Sequence, residues 1–107
     1  MVIMIDIDGT VCTEERPFDR PLATPLEGAK DKVNEYFESG HTVIFWTGRG
    51  WDQYLITEHW LKNNNFKYHQ LLMGKPIANL HIDDRARQFT GWDKNYLDDV
   101  RSKNQEK

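Results

Sequence analysis

The sequence is short of several features, and each shortage excludes a class of protein. Cys12 is the single cysteine among 107 residues, which excludes an internal disulfide framework and a multi-cysteine metal centre. No apolar run approaches the roughly 20 residues that a membrane-spanning helix needs. Lys and Arg number 14 against 17 Asp and Glu, and the resulting net charge of −3 counts against non-specific binding to nucleic acid.

Length and composition indicate one globular domain. The chain has 107 residues, of which 38% are hydrophobic and 29% charged, and this length is typical of a single domain. No basic residues precede the apolar start at Met1, and Asp6 interrupts it, so we predict no secretory signal and expect a cytoplasmic location. Residues 1–101 are predicted to form the domain, with a disordered tail over 102–107.

Strand patterns alternate with helix patterns along the chain. Val2–Ile5 and Thr42–Trp46 are continuous apolar runs, typical of parallel strands covered on both faces. Tyr68–Met73 and Ala78–Ile82 are weaker strand candidates. Strands separated by helices predict an α/β fold.

Start and stop signals mark the helices. A capping box over residues 24–27 predicts the start of the first helix, and Gly40 is placed to end it. A second helix is predicted over Asp52–Lys62, ended by the asparagines at 63–65, and a third over Asp93–Arg101. The order β-α-β-α-β-β-α predicts one Rossmann-like domain, with a small, mostly parallel sheet flanked by helices.

Polar clusters follow three of the predicted strands directly. They are Asp6 to Thr10, Thr47 to Gly50, and Asp83 to Arg85. Ligands of open α/β sheets bind outside the carboxyl ends of the strands, so these clusters are expected to meet at one edge. Lys75 follows the third predicted strand and can join them.

The predicted site combines carboxylates with anion-binding groups. Four carboxylates in a small volume would repel one another without a cation, and Mg²⁺ prefers oxygen ligands. These four are Asp6, Asp8, Asp83 and Asp84. The Thr47 hydroxyl, Lys75 and the backbone N–H groups around Gly48 and Arg49 can bind phosphate oxygens. This combination is typical of phosphoryl transfer, and no Walker loop is present. Arg49 could instead pair with the carboxylates.

The clusters, in this order, resemble the haloacid dehalogenase (HAD) superfamily in its phosphatase branch. Its four motifs match Asp6-Ile7-Asp8-Gly9-Thr10, Thr47-Gly48-Arg49, Lys75 and Asp83-Asp84. The sequence Gly74-Lys75-Pro76, followed shortly by Ile82 to Ala86, also resembles the small capsule-biosynthesis phosphatase group. The resemblance covers residues 6–84, most of the chain.

The resemblance implies catalytic roles. Asp6 would attack phosphorus and form an aspartyl-phosphate, and Asp8 would act as general acid and then general base. Thr47 and Lys75 would hold the phosphoryl oxygens, with Lys75 balancing the charge of Asp6. An aspartate at position 8 is the residue that phosphatases of the superfamily carry and dehalogenases lack.

The resemblance also implies a metal site. Mg²⁺ would be bound by Asp6, the backbone carbonyl of Asp8 and Asp83, with Asp84 binding directly or through water. Two departures from the family pattern affect the sheet rather than these residues. The stretch from Lys75 to Asp83 is too short for the helix usual there, and no fifth strand is evident in residues 88–107.

The segments between the motifs leave no room for a cap domain. An uncapped site would stay open, and would either accept a large substrate or use a neighbouring subunit as its lid. Residues 11–23 carry Phe18 and Leu22, and Trp51 belongs to a loop at the same edge. These side chains are candidates for burial in a homo-oligomer, a dimer or tetramer.

The sequence therefore favours a Mg²⁺-dependent phosphatase acting on a sugar phosphate or a similar metabolite. A polynucleotide 3′-phosphatase is the second reading, since it uses this scaffold and an exposed site, although the acidic balance counts against it. A non-catalytic phospho-acceptor module, like a response-regulator receiver, is the third. Receivers place an adjacent acidic pair after the first strand, whereas Asp83-Asp84 here comes last.

Overall fold

The structure, a computed structural model, describes residues 1–98. Three strands and two α-helices occur in these residues, together with two short 3₁₀ turns. The strands and helices are β1 (Val2–Ile5), α1 (Ala29–Glu38), β2 (Thr42–Trp46), α2 (Tyr54–Asn63) and β3 (Gln70–Leu72), and the turns are Pro17–Leu22 and Trp51–Gln53. Of the third predicted helix, Asp93–Arg101, residues 93–96 are not helical and helix begins at Leu97. The end of this helix and the predicted tail over 102–107 lie outside the described residues.

The three strands form one parallel sheet in the order β1-β2-β3. Val2 lies opposite Thr42 at the start of the first pair, and Trp46 lies opposite Leu72 at the end of the second. All three strands therefore end at the same edge, and the polar segments that follow them meet there. The predicted small α/β domain with a parallel sheet and flanking helices is confirmed.

Aromatic packing covers β2, the central strand. Phe45 is fully buried and meets Phe66 edge to face, with ring centroids 6.0 Å apart. Phe66 in turn stacks on Trp60 of α2 at 5.6 Å. β1, an edge strand of the sheet, is less covered than its apolar sequence predicts, since Val2 and Met4 are 64% and 49% exposed.

The first helix begins later than its capping box predicts. Residues 24–27 are not helical; the Leu26 N–H donates to the carbonyl oxygen of Val11 at 2.9 Å, so this segment pairs with the chain after β1. Ala29 is the first helical residue. The predicted stop is confirmed, since Gly40 has a φ of +93° and donates its N–H to Phe37 at 3.1 Å.

The predicted strand Ala78–Ile82 does not form. Only residues 73–77 separate it from β3, and a parallel strand needs a crossover of about a dozen residues or more. The segment therefore cannot reach the open edge of β1 in parallel register, and Leu80 and Ile82 remain 74% and 92% exposed.

Candidate active site

The chain after β1 makes a compact turn that fixes the first motif. The Thr10 N–H donates to the carbonyl oxygen of Ile7 at 3.0 Å, and the Gly9 N–H donates to that of Cys12 at 2.9 Å. Gly9 has a φ of +78°, a conformation that side chains rarely adopt. Asp6 and Asp8 are thereby held on either side of the buried Ile7.

Asp6 lies in a desolvated position close to a positive charge. Burial raises the pKa of its carboxyl above the ordinary value, and the ammonium of Lys75 partly offsets that shift. The Thr10 hydroxyl lies 3.4 Å from one carboxylate oxygen as a weak donor. A partly desolvated carboxylate facing a lysine is suited to attack an electrophile such as phosphorus.

Asp8 is bound by an arginine fork. Nε and a terminal nitrogen of Arg49 donate to its two carboxylate oxygens at 2.9 and 2.7 Å. The side chains of Arg49 and Asp8 are 1% and 17% exposed. The other terminal nitrogen of Arg49 donates to the hydroxyl of Thr57, fully buried on α2, at 3.0 Å. Of the two roles considered for Arg49, the structure shows pairing with a carboxylate.

The second and third motifs are joined by backbone hydrogen bonds. The Lys75 N–H donates to the carbonyl oxygen of Thr47 at 2.8 Å, and the Gly74 N–H donates to that of Arg49 at 2.8 Å. The Thr47 hydroxyl is buried and accepts the Arg49 N–H at 3.2 Å. Gly48 is exposed between them. The Lys75 ammonium lies 5.4 Å from the ring centre of Trp46.

The fourth motif lies farther out. Asp83 and Asp84 are exposed, and one carboxylate oxygen of Asp83 accepts the Arg85 N–H at 2.8 Å. Asp83 lines the same cavity as Asp6 and Lys75, with a volume of about 690 Å³. The sheet edge thus brings the first three motifs together, and Asp83 shares the cavity with Asp6 and Lys75.

The carboxylates of the first and fourth motifs are the candidate ligands for magnesium. Carboxylate oxygens suit Mg²⁺, and a cation would relieve the desolvated charge of Asp6. In residues 1–98, however, no three acidic, histidine or cysteine side chains converge closely enough to hold a metal ion. Both oxygens of Asp8 are engaged by Arg49. Side chains alone therefore do not enclose a metal ion here, and Mg²⁺, which is usually bound through one or two carboxylates with several waters, would be held by Asp6 and Asp83.

Two residues that hold the motifs in place were not predicted from the sequence. Trp92 donates its indole N–H to the carbonyl oxygen of Thr10 at 2.6 Å and so holds the first-motif turn from outside. Thr57 anchors Arg49 from α2. Neither contact has a signal in the sequence: that of Trp92 spans 82 positions of the chain, and that of Thr57 joins α2 to the loop before it.

An exposed aromatic pair lies near the second motif. Trp51 is 62% exposed and stacks on Tyr54, with ring centroids 6.0 Å apart and planes 16° from parallel. Phe18 and Leu22, on the turn after the first motif, are 97% and 81% exposed. No helix in the described part of the chain is long and apolar enough to cross a membrane.

The parallel sheet, the paired aspartates after β1 and the joined threonine and lysine motifs define a HAD-like phosphatase without a cap. The chain belongs to the family described as PITM 1-3, LNS2 domain, whose model matches residues 3–101. This membership confirms the resemblance to the phosphatase branch of the superfamily.

Solved structures share the fold. A protein from Vibrio cholerae superposes with a TM-score of 0.78 at 21% identity, covering 99% of this chain and 98% of the other. A chain of the Pnkp1/Rnl/Hen1 complex has a TM-score of 0.61 at 22% identity, covering 78% of this chain and 30% of the other. No curated protein matches the sequence significantly.

Proposed function

We propose that the protein hydrolyses a phosphomonoester through an aspartyl-phosphate on Asp6. The observation that carries the proposal is the different setting of the two aspartates. Asp6 lies in the cavity near the ammonium of Lys75, and Asp8 is held by Arg49 two residues further on. Family membership supports a phosphatase.

The reaction has two steps. An oxygen of the Asp6 carboxylate attacks phosphorus and the bond to the alcohol oxygen breaks, while Asp8 delivers a proton to the departing oxygen. Asp8 then takes a proton from water and returns to its protonated form, the water oxygen bonds to phosphorus, and the bond between phosphorus and the Asp6 oxygen breaks, which releases inorganic phosphate and the Asp6 carboxylate. Lys75 offsets negative charge on Asp6 and on the transferring group in both steps.

We propose that turnover requires Mg²⁺, as phosphatases of this superfamily generally do. Asp6 and Asp83 are the proposed ligands on this chain, because both line the cavity. The carbonyl oxygen of Asp8 and the carboxylate of Asp84 are the further ligands expected from the resemblance.

The proposed substrate is a sugar phosphate or a similar metabolite. The cavity that Asp6, Lys75 and Asp83 line also extends along β1 to Met1, and its volume of about 690 Å³ lies within the usual range of small-molecule sites, roughly 300–1,000 Å³. A 3′-phosphorylated polynucleotide is the second candidate. The fold shared with a chain of the Pnkp1/Rnl/Hen1 complex favours it, and the net charge of −3 counts against it.

A phosphate-release panel with Mg²⁺ tests the proposal. It includes sugar phosphates, nucleotides, p-nitrophenyl phosphate and a 3′-phosphorylated oligonucleotide. Asp6→Asn is expected to abolish turnover of the best substrate, whereas Asp31→Asn, an exposed change in the first turn of α1, is expected to leave it unchanged. Asp6→Asn activity within about tenfold of the wild type would rule out Asp6 as the nucleophile.

A further inference from the structure

The arginine of the second motif is the least accessible charged group around the proposed active site. The Arg49 side chain is 1% exposed, and three of its five N–H donors are engaged, two by Asp8 and one by Thr57. A guanidinium this enclosed is not available to bind a substrate phosphate. Its side-chain hydrogen bonds go to Asp8 and Thr57 instead.

The fork fixes the Asp8 carboxyl in space. Two parallel charge-assisted hydrogen bonds, at 2.9 and 2.7 Å, restrict both the position and the plane of the carboxylate. A carboxylate offers about four lone-pair positions. The fork uses one on each oxygen and the Cys12 thiol lies 4.0 Å from Oδ1, so Oδ2 keeps a position for exchanging a proton with another group. Asp8 is thus held without being blocked.

Arg49 also connects Asp8 to the helix α2. Thr57 lies fully buried on α2 and accepts a hydrogen bond from Arg49 at 3.0 Å. Asp8, on the turn after β1, is therefore connected through Arg49 to α2. Small displacements of a catalytic group lower rates by large factors, so such a connection has a direct effect on proton transfer.

We infer that Arg49, anchored by Thr57, is the positioning residue that aims Asp8 at the leaving oxygen of the substrate. This inference rests on the proposed function. It predicts that Arg49 matters most for substrates whose leaving oxygen needs a proton. An alkyl alkoxide is strongly basic and needs one, whereas p-nitrophenolate is a weak base and departs without help.

The kinetic constant that isolates this step is kcat/KM. It reports events up to the first irreversible one, the departure of the leaving group, so the later hydrolysis of the aspartyl-phosphate does not enter it. We compare the best alkyl phosphate of the panel with p-nitrophenyl phosphate in each variant. Asp8→Asn defines the pattern that loss of the proton donor produces.

Arg49→Lys keeps the charge and removes the fork. Its kcat/KM is expected to fall roughly 10- to 100-fold on the alkyl phosphate and less than about threefold on p-nitrophenyl phosphate. Added to Asp8→Asn, the same change is expected to lower kcat/KM by less than about twofold, because Arg49 acts through Asp8. Equal losses on both esters, or no loss, would overturn the inference.

Thr57 provides a matched pair of milder variants in case Arg49→Lys does not fold. Thr57→Val removes the acceptor for Arg49 and Thr57→Ser keeps it. Thr57→Val is expected to lower kcat/KM selectively on the alkyl ester by roughly three- to tenfold, with Thr57→Ser unchanged. Identical behaviour of the two variants on both esters would overturn the inference. Activity retained by Asp6→Asn would instead contradict the proposed function, so the two failures are distinguishable.

Discussion

Asp6 and Asp8 lie two residues apart on one turn and have opposite electrostatic settings. Asp8 is compensated by a bidentate ion pair with Arg49, whose side chain is almost completely buried. Asp6 has the charge of Lys75 nearby, but burial outweighs it and raises the pKa of the carboxyl. Neighbouring residues of one motif therefore differ in what each contributes to stability.

Removal of Asp8 is expected to destabilise the fold. Asp8→Ala leaves the guanidinium of Arg49 buried without its partner, which costs about 3–5 kcal/mol in comparable cases. Urea unfolding measures the loss. Asp31→Ala, at an exposed site on α1, is the control and is expected to change the free energy of unfolding by no more than about 0.5 kcal/mol. Equal unfolding curves for the two variants would contradict the prediction.

Asp6→Asn is expected to stabilise the metal-free protein increasingly as pH rises. A carboxyl whose folded pKa lies above its unfolded value contributes stability at low pH and loses it as pH rises through the folded pKa. Asparagine does not titrate. Thermal unfolding in EDTA between about pH 4 and pH 8 is expected to show a growing advantage of Asp6→Asn over the wild type. A constant or shrinking difference would show that burial does not penalise the Asp6 charge.

Magnesium is expected to support turnover and to stabilise the fold. A ligand that binds only the native state adds about 2.7 kcal/mol at one hundred times its dissociation constant. EDTA should stop phosphate release, and excess Mg²⁺ should restore it and raise the melting temperature. Asp83→Ala should remove the thermal shift, and the distant Asp31→Ala should keep it. Full activity in excess EDTA would exclude the metal requirement.

Cys12 is expected to resist alkylation in the folded protein. Its side chain is fully buried, and burial raises the pKa of the thiol to about 12. About one molecule in ten thousand then carries the reactive thiolate at pH 8. Iodoacetamide labelling followed by mass spectrometry should find the native protein unmodified and the urea-unfolded protein modified once. Rapid labelling without urea would show that the first-motif turn opens readily.

We propose that the protein is a homo-oligomer whose subunits cover each other's active sites. Phe18, Leu22 and Trp51 are 97%, 81% and 62% exposed on segments next to the first two motifs. Light scattering on a size-exclusion column is expected to give a multiple of 12.7 kDa. A mass of one chain at assay concentration would contradict the proposal.

A mixing experiment tests whether the sites are shared between subunits. Asp6→Asn subunits, which lack the proposed nucleophile, are combined with Phe18→Asp subunits, whose turn is altered at the proposed contact with a neighbour. If each site needs residues of two chains, the mixture should regain part of the activity that each variant lacks. Activity no greater than the sum of the separate variants would mean that the sites are self-contained.

The positions of the motifs at the strand ends, and most of the strands, could be predicted because their signals are local. Val2–Ile5 and Thr42–Trp46 form strands with the predicted bounds. A short, continuous apolar run can be recognised as a buried strand from its own residues, without knowledge of its partners. Parallel pairing then places every strand end at one edge, so the meeting of Thr47 with Lys75 follows from the order of elements.

Two predictions from local sequence were wrong because contacts or connections elsewhere in the chain determined the structure. Residues 24–27 have the composition of a helix start, but Leu26 bonds to Val11 across the first-motif turn and the helix begins at Ala29. Ala78–Ile82 has the composition of a strand, but the connection from β3 is too short for a crossover. The local preference of a segment for helix or strand is weak, and tertiary hydrogen bonds or a connection that is too short can override it.

The sequence by itself determined which residue types lie at the ends of which strands, and hence the chemistry available at that edge. Only the tertiary structure decided which partner each group has. In the structure Arg49 donates hydrogen bonds to Asp8 and to Thr57 on α2. Trp92 donates one to the carbonyl oxygen of Thr10. The contacts of Asp8 with Arg49 and of Thr10 with Trp92 join residues 41 and 82 positions apart, and no local pattern of residues encodes such a distance.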